Sequence, residues 1–468
     1  MKSRFAGKGT RSRSHSGQQG QTILLVAVSI VALLSMAALA IDVVTLYVAK
    51  SEIQSAADAV ALAGAKAIAD SGVTTLDPGN AALTDAKTLA GTMATAAITA
   101  ALSANTVDGQ TPTLVGAPAP DWSKGNNNPY ITVTLQQNNL PTFFARIFAR
   151  TSATTQASAT AEAYNPANIQ EFTPIATQCV KPWLIANGDP TQGTPKGTQL
   201  PPIINKATGA ILSNLIGSSF YLTADCDSSQ NGKCALISDP ENYSTGYNAV
   251  YYVPPEIGST NNIYPSCAAA GLDAYAQSVA GCDSTVYSCG GGAPNSRWQQ
   301  NGENPNDGTS TSDQHSDTAQ GAECLMGLPP PGQLGPTLGQ DSLQYPLGWP
   351  LSPPTITINS GAQNGSMVST SRSIITVPII DSTQTLNNNF PVTVIGFLQA
   401  FVNYVGYPGG AAPANYGDVN ITVMNVVGCS QTTNGSPPVS GSNATCGAGT
   451  PCPGGGNSTI PVRLITPP

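Results

Sequence analysis

The sequence predicts an α+β protein: one long N-terminal helix that spans a membrane, a small α/β module, a loop-rich disulfide-bearing region, and an antiparallel β domain. Three observations carry this prediction. Thr22 to Ile41 is a run without charge. Beyond it, apolar and small residues recur at helical spacing as far as Gly64, the mark of an amphipathic helix. From Thr355 the runs TITI, SIITVPIID, FPVTVIGFLQAFVNYV and VNITVMNVVG are β-rich and bounded by turn residues.

The uncharged run has only Thr22, Ser29 and Ser35 as polar members. At ~1.5 Å per residue it makes roughly 30 Å of helix, the thickness of a hydrocarbon core, and a continuous helix bonds its own amides in lipid. Lys2, Arg4, Lys8, Arg11 and Arg13 precede the run and Asp42 follows it. By the positive-inside rule the N-terminus is then cytoplasmic and the body lies outside. Ala38-Leu39-Ala40 also has the small-x-small form of a signal-peptidase site, so cleavage would release the body and retention would anchor it. Retention is favoured, because Val43, Val44, Leu46, Tyr47, Ile53, Ala57, Val60 and Ala61 continue the helical spacing with no Gly or Pro before Gly64. The helix then extends to residue 69, a length of roughly 70 Å. Ala56, Ala57, Ala59, Ala61, Ala63, Gly64 and Ala65 line its outer half. Such small residues admit another helix at close range, or they pack on the chain's own domain.

Only 9% of the residues are charged, while 47 Gly and 38 Pro make the chain loop-rich, a composition suited to an exported surface protein rather than a cytosolic enzyme. The net charge is -8, with five of the eighteen basic residues in the first 13 positions. The remaining body is acidic, which argues against nucleic acid as a partner. The ten cysteines, Cys179, Cys226, Cys234, Cys267, Cys282, Cys289, Cys324, Cys429, Cys446 and Cys452, all fall in that body. An even count there fits up to five disulfides in an oxidising compartment, with the pairing open. No pair is spaced Cys-x-x-Cys, as a zinc ribbon or thioredoxin-like site would require.

Catalytic chemistry finds little purchase. The two histidines are His15 in the basic tail and His315 in a Gly/Asn-rich loop, too few and too exposed for a Ser-His-Asp, Cys-His or histidine-zinc site. Asp239-Pro240-Glu241-Asn242-Tyr243 brings two carboxylates together, but with few aromatic residues nearby to stack a sugar it reads as a turn. No phosphate-binding glycine loop is followed by Lys-Ser/Thr. The expectation is a protein with no catalytic residues, no metal and no cofactor.

One stretch resembles a known family. Gly20-Gln21, the apolar run, Asp42, Tyr47, Gln54, Ala56-Ala57-Asp58-Ala59 and Ala61-Leu62-Ala63-Gly64-Ala65 resemble the N-terminal module of the TadG-like proteins of tight-adherence (Tad, or Flp) pilus assembly. Val60 stands where that pattern has alanine. The likeness extends more weakly through an alanine-rich helix over 80–105, a strand over 130–135 and the ending LPTFFARIFARTSATTQASATAEA, a pilin-like plan. True pilins carry a glutamate five residues after the processed glycine, and here that place is Leu25. The resemblance therefore implies an anchored accessory component: a bacterial inner-membrane, single-pass protein with its body periplasmic or extracellular. Its implied partners are membrane lipid, other pilus-assembly subunits and further copies of itself. A secreted or tethered adhesin or carbohydrate-active protein that uses the module as anchor or cleaved signal is the alternative. Relatives of this group carry a metal site of the form Asp-x-Ser-x-Ser; the nearest strings here, at Asp381-Ser382-Thr383-Gln384-Thr385 and Asp307-Gly308-Thr309-Ser310-Thr311, lack the following helix and read as polar turns.

The expected organisation is a basic cytoplasmic tail over 1–20, the membrane and outer helix over 21–69, and the rest of the pilin-like module over 70–164. A Cys/Gly/Pro/Asn-rich region over 165–350 and a β-rich domain and tail over 351–468 complete it. Within the last, Gly396 to Phe401 interrupts the alternation, as a short helix or a buried strand would.

Overall fold

The computed structural model of the chain describes residues 16–76, 79–125, 128–142, 144–145, 151–165, 175–177, 180–192, 195, 198–207, 209–224, 248–255, 260–261, 272, 274–283, 287–288, 317–328, 339–345, 354–368, 371–383, 392–406, 418–429, 439–440 and 462–465. The chain divides into two compact units, one of Met1–Ala57, Leu102–Ala117 and Val133–Ser158, the other of Asp58–Ala101, Pro118–Thr132 and Ala159–Pro468.

Helix α1 runs from Ser16 to Asp70. Leu, Ala, Val and Ile dominate it and no proline interrupts it, so nothing breaks the i→i−4 ladder. It stops where the chain needs a left-handed residue: Gly72 sits at φ +78, and its amide bonds back to the Ala69 carbonyl at 3.3 Å, a glycine C-cap. Helix α2, Leu83–Ala104, buries Ala86, Leu89, Ala90, Ala94 and Ile98, a single stripe at three- and four-residue spacing.

In the first unit, strand β1 (Thr113–Leu114) pairs antiparallel with the distal half of a long strand, Thr113 opposite Gln136. An Asp108-Gly109 turn with φ of 50 and 72 closes the Val107–Gln110 bridge before it, as a type I′ turn requires. In the second unit, β2 (Pro120–Asp121) pairs with the proximal half of the same strand, Pro120 opposite Ile131. That long strand is β3, Tyr130–Pro141; Ile131, Val133 and Leu135 are its buried alternate residues, the two-residue period of a half-buried strand. Strand β4 is Ser152–Ala163. The strand expected over 130–135 is present and longer.

The rest of the second unit is organised around a closed barrel of β5 (Leu184–Ala186), β6 (Ser219–Ala224), β7 (Ala249–Val253), β8 (Ile374–Ile380), β9 (Val394–Val405) and β10 (Val419–Gly428), in the order β8-β9-β10-β6-β7-β5. Closure leaves no open edge to template pairing with another chain. The β8-β9 and β9-β10 pairs are antiparallel, as expected from the sequence. Two other pairs, β5-β8 and β6-β7, are parallel, so the expected antiparallel domain is a mixed barrel. Its first three strands come from the loop-rich region before residue 350, so the barrel draws on both sides of that compositional boundary.

The interrupted stretch at Gly396–Phe401 is a buried strand within β9. Gly396 and Gly428 face each other across β9 and β10, and Ile204 and the Gly209 carbonyl lie over the pair. Alternation is lost because both faces are covered: Ile395, Leu398 and Ala400 belong to the main core, while Phe401 packs with Ile356 and Met424. Helices α3 (Ala274–Ala280) and α4 (Asp317–Leu325) add Tyr275, Ala276, Val279, Ala322 and Leu325 to the main core. Buried polar groups meet here: the Trp183 indole N–H donates to the Tyr275 hydroxyl at 3.1 Å, and Thr318 Oγ1 bonds both Tyr252 (2.9 Å) and Tyr275 (3.1 Å). Lys181 Nζ donates to the Val279 carbonyl at 2.8 Å and to that of Gly281, satisfying orphan acceptors at the end of α3.

Strand β11, Val462–Ile465, pairs antiparallel with β4, Val462 opposite Ala163. The Arg463 guanidinium reaches buried Glu162 at 3.0 Å and stacks over the Tyr164 ring at 4.8 Å. The last described strand thus pairs with the sheet of the N-terminal module, although the sequence assigned it to the C-terminal domain and tail.

Candidate functional site: the anchoring helix

The site is α1 itself, whose two halves have opposite surroundings. From Ile23 to Val44 nearly every large apolar side chain is exposed, and Thr22–Asp70 is long and apolar enough to cross a membrane. Past that point one face turns inward. Ala49, Ile53, Ala56 and Ala57 are buried in the first unit, and Val60, Ala61, Ala65, Ile68 and Ala69 in the second.

Asp42 marks the change. Its carboxylate is buried and accepts the backbone N–H of Phe144 at 3.1 Å and of Ala145 at 2.6 Å, holding the turn that follows β3. A carboxylate receiving two amides is the charge-assisted form of this bond. Further along, Lys50 Nζ donates to the Gln156 carbonyl, Gln54 Nε2 donates to Ser158 O at 3.3 Å, and Glu52 accepts the Asp108 N–H of the I′ turn at 2.8 Å. The helix is therefore riveted to the small sheet by side chains that seek backbone groups. Replacing Asp42 with Ala removes the charged acceptor of two part-buried N–H groups, a loss of ~1.5–3 kcal/mol. Trypsin cleavage of the full chain in detergent, within the segment holding Arg146 and Arg150, is expected to accelerate by ~10–100-fold; an unchanged rate would show that the clamp does not hold the turn.

The small-residue string has an intramolecular use. A Cβ at Gly64 would meet Ile98 of α2 at 3.0 Å and Ile131 of β3 at 3.4 Å, so the glycine brings α2 against α1. Ala56, Ala57, Ala61 and Ala65 are buried beside it; Asp58, Leu62 and Ala63 are half-buried, Ala59 is exposed, and Tyr47 is exposed. Gly20 and Gln21 lie within α1, but their side chains are outside the described residues. Of the two readings that the sequence left open for this string, packing on the chain's own domain accounts for its buried face.

The C-terminal end of α1 is fixed by a residue that the sequence did not single out. Asn425 on β10 donates Nδ2 to the Ala69 carbonyl at 2.6 Å and accepts the Thr75 hydroxyl on Oδ1 at 2.9 Å. Gly72 packs under Ile216, whose Cδ1 would stand 2.7 Å from any Cβ placed there. Asn425→Ala is expected to cost ~1–2 kcal/mol, because two buried hydrogen bonds are lost while the Ala69 carbonyl keeps the Gly72 N–H and the Thr75 hydroxyl keeps Val426 O at 3.2 Å. Urea unfolding of the full chain measures this, and a midpoint within error of the parent would exclude the joint as a stabilising contact.

The remaining candidate positions do not join this helix. Asp381 accepts Thr383 N at 3.1 Å and Oγ1 at 2.6 Å, and the Lys206 ammonium stands 3.2 Å from its other oxygen. This is the expected polar turn, with a lysine supplying the positive charge. Asp307–Thr311, Asp239–Tyr243 and His315 lie outside the described residues. Cys324 and Cys429 are buried; the side chains of the other eight cysteines are outside the described residues.

A helix that exposes an apolar half and docks an alanine-rich half on a small sheet defines a helix-anchored α+β protein. Residues 20–67 match the Tad family, described as Flp pilus-assembly TadE/G-like. The chain thus carries a TadG-like N-terminal module. No curated protein and no solved structure matches the chain.

Proposed function

We propose that this protein is a non-enzymatic, single-pass component of a Tad/Flp-type pilus-assembly or related secretion apparatus. It is anchored in the bacterial inner membrane with its N-terminus cytoplasmic and its body periplasmic or extracellular. The observation that carries the reading is the division of α1 into an exposed apolar half and a docked half, in the stretch that matches the family. The basic residues before the span supply the orientation. The body is held outside by a helix riveted to its own sheet, which suits a component that presents a domain at a fixed place. Contacts with other assembly subunits, or with a second copy, are assigned to the face of α1 that its own chain leaves uncovered, which includes Ser51, Ser55 and Ala59. Outside the cytoplasm the cysteines close up to five disulfides, which stabilise a body rich in loops.

The test is to fractionate cells that make the C-terminally tagged protein and to sequence its N-terminus. An intact basic tail in the inner-membrane fraction supports the reading. A new start at Ile41 in the soluble fraction overturns it in favour of a released adhesin or enzyme, and a start at Gln21 overturns it in favour of pilin-like processing.

A further inference from the structure

The apolar surface of α1 does not end where the uncharged run ends. Beyond Asp42, Val43 is 57% exposed, Val44 60%, Tyr47 76% and Val48 49%, whereas Asp42 itself is 3% exposed. Asp42 is the one charged residue between Thr22 and Lys50, and its carboxylate is occupied by the Phe144 and Ala145 amides. The Thr45 hydroxyl is likewise turned back onto the Asp42 carbonyl at 2.8 Å. The polar surface then begins abruptly with Lys50, Ser51, Glu52 and Ser55, all exposed. From Thr22 to Val48 the helix presents about 40 Å of apolar surface at ~1.5 Å per residue. A hydrocarbon core takes up ~30 Å of this and the interfacial layers bring the bilayer to ~40–45 Å.

We propose that the lipid contact of this chain extends past Asp42 to Val48, so that the turn clamped by Asp42 lies in the interfacial layer with Phe144 against lipid. The proposal rests on the reading of α1 as a membrane span. An ionised aspartate at that depth is costly unless its oxygens are bonded, and here they are bonded by two amides of the same unit. Phe144 is 37% exposed beside that carboxylate, which places an aromatic ring at the level where the span continues. The occupant of the exposed face is lipid rather than a second helix because Val43, Val44, Tyr47 and Val48 are large. Close helix pairing in membranes uses small residues, and the one alanine between Asp42 and Lys50, Ala49, is buried inward. Tyr47 suits the headgroup level, where an amphipathic ring keeps its hydroxyl wet.

A photo-crosslinking amino acid placed singly at Leu33, Val44, Tyr47, Phe144 or Ser55 of the full chain in native membranes tests this. Phospholipid adducts are expected at 33, 44, 47 and 144, with their loss at 55. Lipid adducts at 33 but none at 44, 47 and 144 would overturn the extension and leave the anchor standing. Protein adducts at 44 and 47 would give that face to a second copy or another subunit and equally overturn it. Absence of lipid adducts at 33 would overturn the anchor itself.

Discussion

Gly428→Ala is expected to prevent the barrel from closing. A methyl group there would collide with the Gly209 carbonyl oxygen and come within 3.1 Å of Ile204, and its neighbour across the strands is Gly396, where a methyl group would strike Ile204 and the Val427 carbonyl. The obstructing turn cannot move aside. Gly209 N is bonded to Asn205 O at 2.7 Å, and the buried Asn187 amide grips both the N–H and the C=O of Ile204, at 2.9 and 2.8 Å. Overpacking against fixed backbone exceeds the usual ~1–3 kcal/mol of a crowded core, so loss of about 4 kcal/mol or more is the expected result. Gly406→Ala is the control: it has a positive φ, +93, which Gly428 does not, but nothing stands within 4 Å of its Cβ, and it should cost only ~1 kcal/mol. Near-UV circular dichroism during denaturation of the detergent-solubilised chain reads both, and similar midpoints for the two variants would refute the account.

The second large effect is on pH. Burial pushes the Lys181 ammonium down to about 7 and the Asp418 carboxyl up to about 7, with a hydrogen bond from Thr223 opposing the latter. The unfolded lysine keeps its proton to pH ~10.4, so its contribution to stability is present above that value and is lost as pH falls to about 7. The unfolded aspartic acid ionises at pH ~3.9, so its contribution is present below that value and is lost as pH rises to about 7. Both losses are complete near neutrality, and each amounts to up to about 4 kcal/mol at ~1.4 kcal/mol per pH unit. The stability of the barrel is therefore expected to pass through a minimum near pH 7. Asp418→Asn should flatten the acid limb and Lys181→Met the alkaline limb. A profile that peaks at neutrality in the parent chain would sink this assignment.

The helix was readable because its signals are local: an uncharged run, a basic flank, and small residues in helical register. β8 to β10 were readable for the same reason, as long β-rich runs between turns. β5, by contrast, has only Leu184–Ala186 and lies in a stretch rich in Pro and Gly; its strand character comes from partners near residues 253 and 379, which no short window contains. The polar rivets were illegible on other grounds. Lys50, Asp42 and Asn425 bond backbone atoms of distant segments, and a sequence cannot show which carbonyl or amide will stand opposite. The alanine string was legible as a close-packing device but not as to its partner, since the same residues serve either use until Ile98 is seen against Gly64.

The pairing of β11 with β4 joins residues near 463 to residues near 162, and the β5-β8 pair joins 185 to 379. In order of synthesis, β4 waits some three hundred residues for its β11 partner and β5 some two hundred for β8. Contacts of such high sequence separation form slowly. A chain cut short before β8 would leave β4 without its β11 partner and the barrel open, so the sheet and the barrel both depend on segments that are made late.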